Sequence, residues 1–306
     1  MKTRFFSVLA LTAFMFTACG NDDDNTDQVN DGRVKFTSGI TATPQTKVAT
    51  DNAGNSIWNI NDPIGIYMVD NGTTTIVESA ENIPYKATTA SASTSFAASG
   101  TDVIRYPTDI PTKVDFIAYH PYNSSVTNWV YPIVLWNQTS QTAIDLMHAT
   151  ADNLGAGYDK TSSNVNFTFS HQLVKLILNV RMDEGIEDTV TDVKISGMST
   201  SAKFDLTGKA GITDIEASNR SITPHTVNFG TKYEAILLPV ANVGMLHFVR
   251  FYTSGGDLYL WSMSDDITSL EAGNIYTYDI TMKRSKIKST GNITRWSDYS
   301  GTGSVK

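Results

Sequence analysis

Apolar and polar residues alternate with a period of two along much of this chain. The pattern is clearest in two segments, residues 172–182 and residues 276–282. Successive side chains of a β-strand point to opposite faces, so such alternation gives each strand one apolar row. Both segments are therefore predicted to be strands with one buried face. The two apolar rows are Val174, Leu176, Leu178, Val180 and Met182, and Tyr276, Tyr278, Ile280 and Met282.

A hairpin is predicted in residues 246–262. Alternating residues from Leu246 to Tyr252 and from Leu258 to Ser262 flank a turn that contains two glycines. Glycine takes the positive φ that such a turn requires. One short helix is predicted around residues 144–154. Further strands are predicted at residues 64–69, 114–119, 166–170, 191–195 and 233–238.

Many short strands with almost no helical periodicity predict an all-β fold. Because no alternation of strands with helices is visible, we expect two tandem antiparallel β-sandwich domains and very little helix. The polar, glycine-bearing residues 155–165 place the boundary near residue 160. The predicted domains are an N-terminal sandwich at 33–160 and a C-terminal sandwich at 161–283. A tail without strong apolar alternation follows at 284–306.

The first 18 residues have the organisation of an export signal. Lys2 and Arg4 precede an apolar run at 5–16, which is shorter than the roughly 20 residues of a membrane-spanning helix. The Thr-Ala-Cys-Gly sequence that follows resembles the lipobox of bacterial lipoproteins, in which the Cys is acylated and becomes the N-terminus. We therefore predict lipidation at Cys19, which would attach the protein to a membrane. The alternative is an ordinary cleaved signal with an incidental Cys.

Residues 19–32 are predicted to be a flexible acidic tether. Five of residues 20–32 are Asp and only one is apolar, so the segment cannot bury enough surface to order itself. An acidic run directly after a lipidated Cys is similar to the signal that places lipoproteins of gut-type Bacteroidetes on the outer face of the outer membrane. The alternative is a solvated spacer.

Cysteine content and charge exclude further classes. Cys19 is the only Cys in the chain, so the exported body has no disulfide, no thiolate metal site and no Cys nucleophile. The formal net charge of −8 becomes about −10 once Lys2 and Arg4 leave with the signal. Nucleic-acid binding needs positive patches, so no nucleic-acid partner is predicted.

No catalytic, cofactor or metal-binding pattern is recognisable. The histidines are far apart and none forms a His-x-x-x-His zinc pair. The sequence Gly197-Met-Ser199-Thr-Ser201 lacks the last Gly of a nucleophile elbow. We therefore predict no enzyme, no cofactor and no metal site. The histidines are His120, His148, His171, His225 and His247.

The aromatic residues leave a second interpretation open. Five Trp and thirteen Tyr offer faces that can stack on sugars, but aromatic residues also fill β-sandwich cores. The tryptophans show no spacing that aligns them along one groove, which favours core or interface packing. They are Trp58, Trp129, Trp136, Trp261 and Trp296.

Four groups of residues together carry a family resemblance. The first comprises Thr46-Lys47-Val48 and Trp58 to Tyr67, the second Ile104 to Pro107 and Val114 to Tyr122, the third Asp145 to Ala149 and Phe167 to Lys175, and the fourth Leu270 to Tyr278 and Ile293 to Trp296. Within the first, Asp62-Pro-Ile-Gly-Ile-Tyr67 matches an Asp-x-Ile-Gly-Val/Ile-Tyr pattern. In this order, these groups resemble the fimbrillin family of Bacteroidales, the Mfa-like branch of type V pilins. The resemblance covers residues 46–296.

The resemblance implies a fold, a location and a mode of assembly. It implies two β-sandwich domains of transthyretin- or immunoglobulin-like architecture, export as a lipoprotein and, in many members, assembly into fimbriae by strand exchange. There a protease cuts after an early strand, usually at Arg, the strand leaves, and a neighbouring subunit fills the groove. The early strand here would be residues 33–40, with Val34, Phe36 and Ser38 on one face. Lys47 takes the place of the Arg, so Val48 would become the new N-terminus.

The expected function is therefore that of a non-enzymatic fimbrillin-like lipoprotein, a pilus subunit or anchor acting in adhesion. Its expected partners are other pilin subunits and, through the lipid, the outer membrane, and its expected location is the cell surface or the fimbrium. A bare sheet edge is a template for another chain's strand, and residues 286–296 are one candidate donor. A surface glycan-binding lipoprotein is the alternative. Lys in place of Arg departs from the family pattern, and some members stay uncut as anchors or tips, so stalk, tip and anchor all remain open.

Overall fold

The regular structure consists of strands. The computed structural model describes residues 31–38, 49–50, 56–109, 112–162, 164–217, 220–283 and 286–295. Within them the only helical element is a three-residue 3₁₀ helix, Met263–Asp265, which confirms the predicted all-β class. The strands are β1 (Phe36–Ser38), β2 (Ala49–Thr50), β3 (Ser56–Ile57), β4 (Pro63–Asp70), β5 (Ile83–Ala87), β6 (Thr94–Ala98), β7 (Val114–His120), β8 (Val130–Val134), β9 (Met147–Ala151), β10 (Val165–Phe167), β11 (Ser170–His171), β12 (Val174–Met182), β13 (Val190–Ser196), β14 (Ser201–Asp205), β15 (Ile212–Glu216), β16 (His225–Asn228), β17 (Lys232–Leu237), β18 (Phe248–Thr253), β19 (Leu258–Ser262), β20 (Asn274–Lys283) and β21 (Lys286–Arg295).

Eight strands form the first sheet, in the order β10-β1-β6-β5-β4-β7-β9-β11. One of its faces covers the first core, which is made of buried residues between Val34 and Phe169. In β4, Ile64, Ile66 and Met68 point into this core. Tyr67 of the same strand packs on the opposite face of the sheet. A strand buried on both faces has no polar row, which explains the unbroken apolar run in β4.

The second core lies between two sheets that together form a sandwich. One sheet has the order β16-β17-β12-β20-β21 and the other β13-β18-β19. The two apolar rows expected from the alternation both reach this core. β12 and β20 lie side by side in the sheet, with Leu176 opposite Tyr276 and Leu178 opposite Tyr278. The predicted hairpin is also present, since Phe248 of β18 pairs with Ser262 of β19.

Two strand pairs run parallel within otherwise antiparallel sheets. These are β12 with β20, and β1 with β10. Both join strands that are far apart in sequence. Alternation reports which face of a strand is buried and carries no information on the direction of its neighbour. The sequence therefore predicted antiparallel sheets only.

A third core is shared by the two halves of the chain, the first half ending with β11 and the second beginning with β12. It contains Tyr67 and Tyr119 from the first sheet, together with Ile236 and Leu238 from the β17 region. A small sheet with the order β15-β14-β8 closes it, because β8 of the first half pairs with β14 of the second. From Gly32 onward the chain therefore forms one compact unit.

The helix predicted around residues 144–154 is not present. Residues 147–151 form β9 instead, and Ala149 of β9 pairs with Ala118 of β7. Met147, Ala149 and Ala151 alternate into the first core. Helix propensity is a weak preference, and pairing with a buried neighbour strand outweighs it here.

The chain passes from the first sheet to the sheet that contains β12 after residue 160, the position at which the domain boundary was expected. β10 pairs with β1 and β11 pairs with β9, so both belong to the first sheet. Residues 155–164 lie in the chain between β9 and β10, two strands of that sheet. The change of sheet lies between His171 and Val174, where β12 begins. The single strand predicted at 166–170 is accordingly two short strands with different partners.

The segment predicted as a tail contains β21, which pairs with β20 along its whole length of ten residues. β21 is an edge strand whose described side chains are mostly exposed. An exposed edge strand needs no apolar row, so its sequence gave no signal. Among the described residues, none of the elements is a helix with the length and apolar character needed to cross a membrane.

Candidate functional site

β1 is an internal strand although it has only three residues. It pairs antiparallel with β6 on one side and parallel with β10 on the other, so Phe36 lies opposite both Phe96 and Val165. Two residues earlier, the Val34 N–H donates to the Ile104 carbonyl oxygen at 3.0 Å. The start of the described chain is therefore held by backbone hydrogen bonds on both sides.

The Phe36 side chain fills an aromatic slot in the first core. It is 1% exposed, meets the rings of Tyr85 and Phe116 edge-on at centroid distances of 5.1 and 5.2 Å, and stacks on Phe167 at 5.6 Å. Full burial of a Phe side chain contributes about 1.5–3 kcal/mol, and each well-placed aromatic pair adds about 0.5–1.5 kcal/mol. Phe36 is thus the main side-chain anchor of β1.

Ser38 fills a polar position at the other end of β1. The Trp58 indole Nε1 donates to the Ser38 hydroxyl at 3.2 Å, and the Ser93 hydroxyl donates to the Ser38 carbonyl oxygen at 2.6 Å. Trp58 is itself buried, edge-on to Phe96 and Phe169. A buried indole N–H without an acceptor is costly. This position therefore favours a small side chain with an acceptor oxygen.

The rest of the groove under β1 is lined mainly by residues of the first core. Val34 takes the third position on the same buried face, as the alternation predicted. The Tyr85 hydroxyl accepts a hydrogen bond from the Ile104 N–H at 2.9 Å, and burial raises the pKa of this phenol, which keeps it neutral. On the opposite face, Thr37 donates to the Asn166 side-chain oxygen at 3.1 Å. If β1 were removed from the sheet, β6 and β10 would each have an unpaired backbone edge. The spaces occupied by the side chains of Val34, Phe36 and Ser38 would be empty.

β21, the candidate donor, is held much more loosely. It has one neighbour, β20, and its clearest side-chain contact is that of Ile287 with the second core. The Ser289 hydroxyl donates to Asp266. Gly291 lies directly against the Tyr278 ring, and Ile293 is 53% exposed. Most of what fixes β21 is therefore backbone pairing.

The predicted modification sites lie outside the described residues. Cys19, Lys47 and Val48 all fall there, as does Trp296 at the end of the candidate donor segment. Lipidation and cleavage therefore stay predictions. Of the early strand predicted at residues 33–40, the described part is 33–38.

The tryptophans do not line a common surface in the described residues. Trp58 and Trp261 are buried in the first and second cores. Trp129 is half-buried, with its ring 4.4 Å from that of Tyr67. Trp136 is the exposed one. A sugar platform built from aligned tryptophans is therefore not supported, and a single exposed Trp remains.

Three histidines are parts of the packing. His120 Nδ1 lies 2.8 Å from the Pro63 carbonyl oxygen, and His148 Nε2 lies 2.9 Å from that of Leu206. Burial lowers the pKa of both imidazoles, so they are neutral near pH 7. His171 is buried against Asp145 at 2.9 Å.

A match to a known family fits this geometry. Residues 46–296 match the model of the family described as fimbrillin-like. The chain belongs to the fimbrillin-like family. The resemblance seen in the four groups of residues is thereby confirmed, with the same bounds. The first strand, β1, lies just ahead of the residues that define this fimbrillin-like region.

Relatives of this fimbrillin-like chain cover most of its length. It is 31% identical, over 99% of its length and 98% of the relative's, to Fim1C of Bacteroides uniformis, which is named as a candidate fimbrium subunit. It is similar to the crystal structure of a candidate cell adhesion protein from Bacteroides uniformis, with 27% identity, a TM-score of 0.73, and coverage of 88% of this chain and 100% of that one. A candidate cell adhesion protein from Bacteroides ovatus shares the fold at 20% identity, with a TM-score of 0.67 and coverage of 88% and 99%. The protein is thus a member of a fimbrial and cell-adhesion family.

Proposed function

We propose that this chain is a subunit or anchor of a cell-surface fimbria that acts in adhesion and joins other subunits by strand exchange. The observation that carries the proposal is the setting of β1. This strand lies early in the chain and is flanked by strands on both sides. Together with Val34 just before it, Phe36 and Ser38 fill three slots beside the first core. One cut behind it would release it and open a groove that only another strand can fill.

The proposed cut is hydrolysis of the peptide bond between Lys47 and Val48. Water adds hydroxyl to the Lys47 carbonyl carbon and a proton to the Val48 nitrogen, which leaves a new C-terminus and a new N-terminus. The family match begins at Thr46. β1 and Cys19 both precede the matched residues. A leader segment that is removed from the mature subunit would lie in this position.

The groove restricts which strand can enter it. The alternate positions of β1 hold a branched aliphatic side chain, an aromatic ring and a small hydroxyl. In the candidate donor, Trp296 and Thr294 repeat the aromatic–hydroxyl spacing of Phe36 and Ser38 when read in the opposite chain direction. Strands pair in either direction. We propose that a neighbour inserts residues 286–296 with Trp296 in the slot of Phe36 and Thr294 in that of Ser38. This segment matches two of the three slots and ends before that of Val34.

Cleavage after Lys47 would decide whether a chain acts as an anchor or as a polymerising subunit. An uncut chain keeps the lipid on Cys19 and stays attached to the outer membrane as an anchor. A cut chain loses the lipid together with β1 and becomes a subunit that polymerises.

Limited proteolysis of the purified, detergent-solubilised full chain tests this proposal. Low trypsin should produce Val48 as a new N-terminus, followed by oligomers whose size increases with protein concentration. A Lys47→Ala chain is the matched control and should give neither. A Trp296→Ala chain should be cut as fast as the parent but should remain monomeric.

Two outcomes would contradict the proposal at different steps. Cleavage at Lys47 that leaves a stable monomer would show that strand exchange is wrong. Cleavage at other lysines while Lys47 stays intact would show that the processing step is wrong and would favour an uncut anchor.

A further inference from the structure

An open cleft lies at the junction of the two halves, away from the β1 groove. Its volume is about 450 Å³, and it is lined by residues 136–139, which follow β8, and residues 223–226, which lead into β16. None of these residues belongs to the first core. The volume is within the roughly 300–1,000 Å³ of small-molecule sites.

Trp136 is a large aromatic residue of this cleft whose side chain is largely open to solvent, with 54% of the residue exposed. Alternation along β8 explains its direction, since Ile133 and Leu135 fill the shared core and Val134 and Trp136 face outward. Its indole therefore presents apolar surface to solvent at the mouth of the cleft. Small-molecule sites combine such aromatic faces with a few polar groups that orient the ligand.

The loop that carries Trp136 is held rigidly. The buried Gln138 amide donates to the carbonyl oxygens of Leu135 at 2.7 Å and Ile236 at 3.0 Å, and its oxygen accepts the Ile236 N–H at 2.8 Å. The Asn137 oxygen accepts the Thr139 N–H and hydroxyl at 3.0 and 2.7 Å. These bonds clamp the loop to β17 and use the oxygen of Asn137, so its amide nitrogen remains as a donor. The site is therefore formed before any ligand arrives.

Besides the indole of Trp136, the lining of the cleft presents amide, hydroxyl and imidazole groups. Two charged side chains lie next to it, and both are already paired. Lys194 donates to the Thr223 hydroxyl at 2.8 Å and pairs with Asp192 at 3.0 Å. Glu234, opposite His225 in the pairing of β16 with β17, forms ion pairs with Lys175 and Lys232. A charged ligand would have to compete with these pairs, whereas a neutral ligand would not.

We propose that this cleft binds a neutral saccharide. A pyranose ring has a C–H face, which stacks on the π face of an indole, and a rim of hydroxyls, which need neutral donors and acceptors. Trp136 supplies the stacking face, and Asn137, His225 and Thr226 supply the rim. The cleft is complete in the uncut chain, so this inference does not depend on strand exchange.

Isothermal titration of the uncut full chain in detergent tests the proposal. The probes are maltotriose, mannotriose, N-acetyllactosamine and the sialylated form of N-acetyllactosamine. At least one neutral probe should bind, and sialylation should give no gain in affinity. Trp136→Ala should weaken binding by about tenfold, the value of one lost aromatic contact, and Trp136→Phe should weaken it less. Leu260→Ala is the matched control, since Leu260 is 57% exposed on another sheet, and it should change nothing.

The proposal is wrong if none of the neutral probes binds, or if Trp136→Ala binds them as the parent does. It is also overturned if Trp136→Ala leaves saccharide binding intact but prevents oligomer growth after the Lys47 cut. That result would make the cleft a contact between subunits. The unfolding midpoint of Trp136→Ala should equal that of the parent, which separates lost binding from lost folding.

Discussion

Phe36 is the residue on which the first strand depends most. Backbone pairing is open to any sequence in a three-residue strand. What is particular to this strand is the ring of Phe36, which contacts Tyr85, Phe116 and Phe167. Ser38 adds selectivity because its hydroxyl accepts the indole N–H of Trp58. The two residues therefore have different roles, one giving affinity for the groove and the other fixing the register of the strand.

Phe36→Ala should destabilise the uncut chain by about 3–5 kcal/mol, as other buried Phe truncations do. The loss combines the removed transfer free energy with the cavity left among three rings. Urea unfolding of the two proteins measures the difference, with the exposed neighbour Lys35 as the control in a Lys35→Ala chain. If both variants unfold at the same urea concentration, Phe36 does not hold the strand.

At the scale of elements, β1 and β21 differ in what leaving the fold would cost. β1 has two neighbour strands and a buried face, whereas β21 has one neighbour and mostly exposed side chains. Leaving its own sheet would cost β21 its backbone pairing with β20 but little burial of its own side chains. In the proposed strand exchange, pairing with β6 and β10 would replace part of that backbone pairing, and the side chains buried in the groove would be the gain.

Gly291 should control how firmly β21 is held. It pairs with Tyr278, and a Cβ at this position would clash with the Tyr278 ring. Gly291→Ala must therefore displace the ring or the strand, at about 1–3 kcal/mol for overpacking. Amide hydrogen exchange should become faster across β21. The exposed neighbour serves as the control in an Asn292→Ala chain, and equal exchange in the two variants would show that the pairing register is wrong.

Strands with one buried face could be predicted from the sequence, and elements fixed by distant partners could not. β12 and β20 alternate because each has one face on the second core. β9 contains Ala149 and Ala151, which suit a helix as well, and only its pairing with β7 decides the matter. The missing alternation of β21 follows from its exposure at the sheet edge.

The same distinction applies to the sites. The buried face of Val34, Phe36 and Ser38 follows from local alternation. The Trp58–Ser38 hydrogen bond and the cleft beside Trp136 bring together residues far apart in sequence. Neither could be found from a local pattern in the sequence.

At the scale of the whole molecule, the predicted lipidation site Cys19 and the first strand both precede Lys47, the predicted cleavage site, in the chain. One proteolytic event would therefore remove the anchor and open the groove together. The acidic tether between Cys19 and β1 adds no attraction to anionic membranes, since its charges have the same sign as the lipid headgroups. All membrane attachment of an uncut chain should then come from the acyl chains.

Cys19→Ala should accordingly move the protein from the membrane fraction to the soluble fraction. Acyl chains bind membranes with about 0.8 kcal/mol per buried methylene, and the apolar run at 5–16 is too short to span the membrane in their place. Fractionation of the producing cells, with detection of the protein in both fractions, measures the change. Asp22→Asn is the control, because it alters the tether and keeps the acylated Cys, and it should stay with the membrane. A Cys19→Ala protein that remains in the membrane fraction would show that the lipoprotein prediction is wrong, and the link between cleavage and release would fall with it.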